Sequence, residues 1–163
     1  FDAAEANVRD SVDRLLAVKG ERTPRDFHWD LGRTLWDNVG MSRNPEGIME
    51  SVGHIRKLRE EFWQNVRVVG SGDTMNKALE YAGRVADYLE LGELIAIDAY
   101  NRDESCGCHL RTDHQSEEGE ALRRDDEFSY VSAWEYTGDL GRPRLNREKL
   151  DFENVHLAVR NYK

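Results

Sequence analysis

The pattern of hydrophobic and polar positions predicts four amphipathic helices in the first hundred residues. The third is the clearest, because its apolar positions follow steps of four, three, three, four and four residues: Ile48, Val52, Ile55, Leu58, Phe62 and Val66. This spacing places the side chains on one face of an α-helix. The first helix is predicted from Asp2 to Lys19, and the fourth from near Asp73 to Ile97.

Capping residues indicate where the second and third helices begin. Each opens with a side-chain acceptor followed by proline, Thr23-Pro24 in one helix and Asn44-Pro45 in the other. Proline fits the first helical position because its missing N–H would have no partner there. Gly20 ends the first helix. Since the links are short, neighbouring helices run antiparallel, and residues 1–101 are predicted to form an up-and-down bundle of three to four helices.

The pattern changes after residue 101. Residues 102–127 are polar, acidic and interrupted by glycine, without a helical period, which indicates a charged, structured loop. Residues 128–136 have strand composition, residues 138–141 supply turn chemistry, and a second short strand is predicted over Leu150 to Leu157. The predicted fold class is mainly α: an antiparallel bundle followed by a small irregular and β C-terminal appendage over residues 102–163, the two forming one structural unit.

Charge and hydropathy argue against two classes of partner. The 163 residues carry a formal net charge of −9, which disfavours nucleic acid and anionic membranes because both attract clusters of Lys and Arg. The longest aliphatic run, Leu94 to Ile97, is far shorter than the ~20 residues of a membrane helix, so no direct membrane insertion is expected. Residues 103–127 are acidic and residues 142–163 basic, so these stretches could face each other.

A glycine turn, Gly70-Ser71-Gly72, follows the apolar residues 66–69 and precedes a helix. A dinucleotide-binding fingerprint requires a third glycine where Met75 stands, so the motif fails. The preferred interpretation is a glycine link between helices, with residues 66–69 continuing the third helix.

Four side chains of the types that bind zinc lie within nine residues: Cys106, Cys108, His109 and His114. Structural zinc sites usually place two to four residues between paired cysteines, whereas one residue separates these two. The alternative is a turn in which small Cys and Gly residues pack closely. The same spacing suits an unstrained disulfide poorly and favours a reducing compartment.

Two further polar sets have a functional and a structural interpretation. Ser105, Cys106, His109 and Asp113 include a nucleophile, a histidine and an acid, but such residues also occur by chance in polar loops. The second set lies at the link between helices two and three: Arg33, Asp37, Asn38, Ser42, Arg43 and Asn44. Capping and turn formation are one explanation for it, and docking to another domain is the other.

Three stretches, residues 35–43, 102–113 and 124–128, together resemble the C-terminal domain of the flavoprotein subunit of succinate dehydrogenase and fumarate reductase. The second stretch is similar to the family signature Arg-x-Glu-Ser-x-Gly-x-His-x-Arg, which maps onto Arg102, Glu104, Ser105, Gly107, His109 and Arg111. Cys106 stands where many members have arginine, and Cys108 where they have a small residue. Aspartate oxidases carry a similar helical domain, but the strand-like tail after Glu127 favours the dehydrogenase subunit.

The resemblance implies that the intact subunit moves hydride between succinate and FAD and passes electrons through an iron-sulfur subunit towards quinone at a membrane anchor cytochrome. The FAD-binding and capping domains would precede this chain, which is expected to be a fragment because Phe1 adjoins a predicted helix. FAD would not be bound here, and no catalytic, cofactor-binding or metal residue is assigned. The implied location is the cytoplasmic face of a bacterial inner membrane, peripherally through partner subunits.

The expected role of the fragment is a scaffold that catalyses nothing alone. Its candidate contacts to other domains or subunits are polar residues of the three resembling stretches: Asp37, Asn38, Arg43, Arg102, Glu104, Ser105, His109, Arg111, Arg124, Asp125 and Asp126. Two alternatives stay open. One is a free-standing helical protein-binding module whose acidic loop engages a basic partner, and the other is a small zinc-binding protein using Cys106, Cys108, His109 and His114.

Overall fold

The computed structural model describes residues 1–158 and confirms a mainly helical fold with a small β appendage. The helices are α1 (Asp2–Ala17), α2 (Pro24–Val39), α3 (Pro45–Asn65), α4 (Lys77–Asn101) and the short α5 (Asp125–Phe128). The strands are β1 (Ser42–Arg43), β2 (Leu110–Arg111), β3 (Tyr130–Glu135) and β4 (Arg144–Lys149). β1 pairs with β2 in parallel, and β3 pairs with β4 in antiparallel fashion.

Side-chain caps set the beginnings of the long helices. Thr23 accepts a hydrogen bond from the backbone N–H of Asp26, whose carboxylate accepts from Thr23 in return, and Asn44 caps α3 through the N–H of Gly47. Both predicted starts are therefore confirmed. The predicted start of α4 near Asp73 is wrong, because Asn76 is the residue whose side chain accepts from the first free N–H groups of that helix.

The core lies where α3 packs against α2 and α4. Phe27 of α2 and Phe62 of α3 are fully buried and meet edge to face, with ring centroids 5.2 Å apart. A second cluster continues the core towards the C-terminal end of α4 through buried aliphatic side chains: Val39, Ile48, Val52, Ala96 and Ala99. This second cluster adjoins the β1 link, since Val39 ends α2 and Ile48 lies in the first turn of α3.

The chain leaves α3 one turn earlier than the apolar pattern predicts. The N–H of Arg67 donates to the carbonyl of Arg22 (2.8 Å), and the N–H of Arg22 donates to the carbonyl of Asn65 (3.1 Å). The prediction that residues 66–69 continue the helix is therefore wrong, because their backbone groups pair with the segment between α1 and α2. Gly20 permits this approach, since a Cβ there would lie 1.9 Å from the Asn65 carbonyl oxygen.

The second C-terminal strand is also displaced from its predicted position. β4 runs from Arg144 to Lys149 and pairs with β3 so that Glu135 faces Arg144 and Tyr130 faces Lys149. The prediction of a strand over residues 150–157 followed the apolar residues there and is wrong. β4 is almost entirely exposed, so backbone pairing after the turn at residues 138–141 determines its position without an apolar pattern.

Within residues 1–158, no helix combines the length and the hydropathy that crossing a bilayer requires.

The close approach at Gly20 can be tested by substitution. Gly20→Ala places a methyl group against the Asn65 backbone and is expected to lower the free energy of unfolding by about 1 to 3 kcal/mol. Gly53→Ala is the matched control, because Gly53 is helical and has open space around a Cβ, and it should raise stability by about 1 kcal/mol. Urea denaturation followed by circular dichroism measures both, and an unchanged Gly20→Ala midpoint would contradict this packing.

Candidate functional site

The charged segment, residues 102–128, is attached to the bundle by the parallel pairing of β1 with β2. The N–H of Leu110 donates to the carbonyl of Met41 (3.2 Å), and the N–H of Thr112 donates to the carbonyl of Arg43 (2.9 Å). These bonds hold the link between α2 and α3 against the segment that follows α4. Two stretches that are distant in sequence thereby form one site.

Two buried side chains fold the charged segment on itself. Glu104, 1% exposed, accepts from the guanidinium of Arg102 (2.8 Å) and from the backbone N–H of Arg124 (2.9 Å). Ser105 is fully buried, and its hydroxyl donates to the carbonyl of Arg111 (3.1 Å) and accepts from its N–H (2.8 Å). Because these groups bind other groups of the segment, Glu104 and Ser105 hold its shape.

Arg111 lies behind them and is only 2% exposed. Its guanidinium donates two parallel hydrogen bonds to Asp113, at 2.8 and 2.7 Å, and a third to Asp103 at 3.1 Å. The Asp113 contact raises the pKa of Arg111 and in turn lowers the pKa of Asp113. A hydrogen bond from His114 lowers the pKa of Asp103, which also pairs with Arg124 at 2.6 Å.

His109 connects the two halves of the site. Its Nε2 donates to the carbonyl of Arg102 (2.7 Å), since a carbonyl can only accept, and its Nδ1 accepts from Nη1 of Arg43. Burial lowers the pKa of His109, and the nearby arginine charges lower it further. The imidazole is therefore neutral, with both nitrogens engaged.

These contacts test the two chemical sets proposed from sequence. The structure does not assemble a triad, because the Ser105 hydroxyl binds backbone groups of Arg111 and His109 binds Arg102 and Arg43. The zinc set is not brought together either: Cys108 is exposed, and His114 binds Asp103. Within residues 1–158, a different group brings its metal-binding atoms close together: Asp103, Asp113 and His114. The carboxylates of this group bind arginines.

The glycine turn before α4 does not have the geometry of a dinucleotide site. Gly70 has a positive φ of 92°, but the residues before it pair with the α1–α2 link and belong to no strand. Asn76 occupies the N–H groups of Ala78 and Leu79, which a pyrophosphate at this helix N-terminus would need. These residues therefore do not fit the FAD that a flavoprotein family implies.

A cleft of about 320 Å³, here named the Arg43 cleft, opens between α4, the β3–β4 hairpin and the charged segment. Its polar wall consists of Arg43, Asp98, Arg102 and His109, and its apolar wall includes Leu91, Leu94, Ile95 and Trp134. The indole N–H of Trp134 donates to Asp98 (2.7 Å) and holds the hairpin against α4. Sequence reasoning missed Asp98 and Trp134, because no motif distinguishes Asp98 from other polar residues of α4 or Trp134 from other residues of β3.

Of the residues predicted to dock, the structure brings Arg43, Arg102 and His109 to this cleft. Arg124 and Asp125 lie elsewhere in the charged segment, paired with Asp103 and Arg123 respectively. The remaining candidates on α2 and α5, Asp37, Asn38 and Asp126, do not line the cleft. In the basic stretch, Arg142 and Arg144 pair with Asp139 and Glu135, which lie outside the acidic stretch.

An exposed apolar face adjoins the cleft. Leu91 and Ile95 of α4 are 53% and 46% exposed, and they line both the Arg43 cleft and the neighbouring groove between α2 and α4. Trp29 and Trp36 extend the exposed apolar surface along α2. Contiguous apolar surface of this kind marks interaction sites in folded proteins.

The chain is a helical domain with a bridged charged segment and a β-hairpin. The family model described as "Fumarate reductase flavoprotein C-term" matches residues 28–162, and the chain belongs to this family. It is 26% identical to the fumarate reductase flavoprotein subunit of Proteus vulgaris and 22% identical to the succinate dehydrogenase flavoprotein subunit of Bacillus subtilis (strain 168). Each alignment covers 162 residues, 99% of this chain.

A solved structure of E. coli quinol fumarate reductase shares the fold, with a TM-score of 0.80 and 23% identity over 97% of this chain. A quinol-fumarate reductase with menaquinol molecules gives a TM-score of 0.79 with 24% identity over 95% of this chain. The chain spans 26% of the length of both curated relatives and of both solved chains.

The Arg111–Asp113 ion pair should make the free energy of unfolding depend on pH. The lowered pKa of Asp113 stabilises the fold above the ordinary Asp value of 3.8, and this stabilisation is lost as the pH falls through the folded-state pKa. Asp113→Asn should therefore lower the free energy of unfolding at neutral pH, and the deficit relative to wild type should shrink on acidification. Urea denaturation from neutral pH down to the lowest pH at which both remain folded measures the difference. A deficit independent of pH would contradict the ionic role.

Proposed function

We propose that this chain is the C-terminal docking domain of a succinate dehydrogenase or fumarate reductase flavoprotein subunit and supplies no catalytic group itself. The observation that carries the proposal is the exposed apolar face of α4 beside the Arg43 cleft, in a chain whose family members are much longer flavoproteins. In the whole subunit, this surface packs against the flavin-binding polypeptide. Burial of Leu91 and Ile95 there would remove apolar area from water and stabilise the assembly.

The charged segment supports docking by holding its shape. Glu104, Ser105 and Arg111 are buried and hydrogen-bonded within the segment, so the backbone that carries Arg102 and His109 is fixed before any partner arrives. A preformed surface loses less conformational entropy on binding than a mobile loop. Arg102 and His109 are therefore the residues of the family signature that take part in the contact, and the others position them.

The proposal includes a reaction for the whole subunit, which the names of the relatives support. The subunit interconverts succinate and fumarate, with FAD held by the polypeptide that precedes this domain, and electrons leave through an iron-sulfur subunit towards quinone. FAD supplies the hydride chemistry when bound. The complex would lie peripherally at the cytoplasmic face of the inner membrane. The direction of the reaction depends on partners that this domain does not contain.

The alternative, a free-standing module that binds a basic partner through its acidic segment, has few unpaired acids to support it. The acids of the charged segment mostly accept from arginines of the same segment: Asp103 and Asp113 pair with Arg111, Glu104 with Arg102, Asp125 with Arg123, and Glu127 with Arg124. A basic partner would have to compete with these internal pairs.

The docking proposal predicts different effects of one variant in two contexts. Leu91→Glu with Ile95→Glu removes apolar contact only where another polypeptide covers α4. In the whole subunit, the melting temperature should fall by several degrees and flavin retention should decrease, whereas the melting temperature of the 163-residue chain should change by less than about 2 °C.

Val8→Glu is the matched control, because Val8 is 65% exposed on helix α1, away from the Arg43 cleft. It should have little effect in either context. Differential scanning fluorimetry and flavin absorbance measure the outcome. Equal losses in the subunit and in the isolated chain would argue against docking, as would a wild-type subunit that holds no flavin.

A further inference from the structure

We propose that Arg43 binds a single carboxylate, from an Asp or Glu side chain of the flavin-binding polypeptide of the same subunit, in the Arg43 cleft. This inference rests on the proposed function, because it takes the flavin-binding polypeptide as the occupant. Beyond that function, the inference names the group that the flavin-binding polypeptide contributes, a carboxylate, and the residue of this chain that binds it, Arg43.

The hydrogen bonds of Arg43 leave its charge without a contacting anion. Its Nε donates to the carbonyl of Gly40 (2.6 Å), and its Nη1 donates to Nδ1 of the neutral His109. Both acceptors are uncharged. Three of the five N–H groups of this guanidinium have no acceptor within residues 1–158. Arg43 is half-buried, and burial lowers its pKa by more than the electrostatic interactions with Cys108 and Asp98 raise it.

The arginines of the charged segment differ from Arg43 in having carboxylate partners. Each arginine of the charged segment contacts a carboxylate oxygen within 2.8 Å: Arg102 binds Glu104, Arg111 binds Asp113, Arg123 binds Asp125, and Arg124 binds Asp103. Arg43 alone among the cleft's arginines lacks such a partner in the part of the chain that the structure describes. Because a half-buried cation without an anion is costly, a carboxylate arriving from outside the chain would be bound favourably.

The side chains around Arg43 cannot supply that anion themselves. His109 is held neutral and turned towards Arg43 by its bond to the Arg102 carbonyl. Cys108 and Asp98 are near enough to interact electrostatically with Arg43, Cys108 the more strongly, but neither forms a hydrogen bond or ion pair with it in the described residues, and Asp98 accepts the indole N–H of Trp134. The free N–H groups of Arg43 are therefore available to a visiting group.

The cleft suits one carboxylate better than a free dicarboxylate. Arg102, the other guanidinium of the wall, is neutralised by Glu104, so one unpaired cation is present. A dianion would place its second charge near Asp98 or against the apolar wall, where it is unfavourable. That wall, made by Leu91, Leu94, Ile95 and Trp134, suits the methylene groups of an Asp or Glu side chain and its neighbours.

The occupant is assigned to the flavin-binding polypeptide by continuity of the surface. Leu91 and Ile95 belong both to the cleft wall and to the exposed face of α4 that the proposed function places against that polypeptide. A segment covering this face would pass over the mouth of the cleft. An acidic side chain on such a segment would reach Arg43 without a further binding surface.

The test is a zero-length cross-link in the whole subunit carrying Arg43→Lys. A water-soluble carbodiimide activates a carboxylate, and a lysine amine in contact with it forms an amide as the activating group leaves as a urea; the arginine of the wild type does not react. Peptide mapping by mass spectrometry should find position 43 joined to one Asp or Glu that precedes residue 1 of this chain. Arg9→Lys is the control, because Arg9 is exposed on α1, away from the cleft, and should give no link to that acid.

A link from position 43 to Asp98 only, to another subunit, or to no acid would overturn the inference. A second measurement needs no variant: phenylglyoxal should modify Arg43 in the isolated chain and be excluded in the wild-type subunit, with Arg9 reactive in both. Equal reactivity of Arg43 in both would also overturn it. So would binding of succinate to the isolated chain that is much tighter than binding of acetate and that Arg43→Gln abolishes, since the cleft would then be a site for a free dicarboxylate.

The docking function and the carboxylate contact at Arg43 can be rejected separately. A wild-type subunit without flavin would reject the proposed function itself. A wild-type subunit that holds flavin and is destabilised by Leu91→Glu with Ile95→Glu, yet gives no cross-link from position 43 and no protection of Arg43, would keep the docking function and reject the carboxylate contact.

Discussion

The buried polar groups of the charged segment are the constraint on which the rest of the site depends. Residues 102–128 contribute few apolar side chains to a core, so Glu104, Ser105 and Arg111 occupy the interior instead. Each is acceptable there because its hydrogen-bonding atoms are used: within residues 1–158, no buried side-chain nitrogen or oxygen lacks a partner. A partly satisfied network would lose more free energy to unpaired buried groups than its remaining hydrogen bonds contribute. The segment is therefore stable only in the arrangement that pairs all of them.

That arrangement determines which groups remain available to a partner. Internal ion pairs occupy the four arginines of the charged segment and five of its acids. The bond between His109 and the Arg102 carbonyl turns the imidazole towards Arg43. Arg43 itself is contributed by the link between α2 and α3, and the pairing of β1 with β2 brings it there. The result is a cleft in which Arg43, among the described residues that line it, is a cation without an ion pair beside apolar side chains, and this suits an interface more than a catalytic centre.

Sequence reasoning succeeded where the signal is local. The caps at Thr23 and Asn44 act within one helical turn, and the spacing from Ile48 to Phe62 is the period of the helix that it forms. It failed where distant backbone groups compete. Residues 66–69 leave the helical path because the Arg22 backbone binds Arg67, and β4 lies before the apolar residues 150–157 because its hydrogen bonds with β3 place it there.

The sequence by itself determined the helices, the class of fold and, through three short motifs, the family. These features depend on residue types at fixed short separations, which any single chain displays. Only the tertiary structure decided that Arg43, Asp98, His109 and Trp134 share a cleft while Asp37 and Asp126 lie outside it. The reason is that hydrogen bonds between positions far apart in the chain, such as Thr112 to Arg43 and Trp134 to Asp98, create that proximity, and no local spacing encodes them.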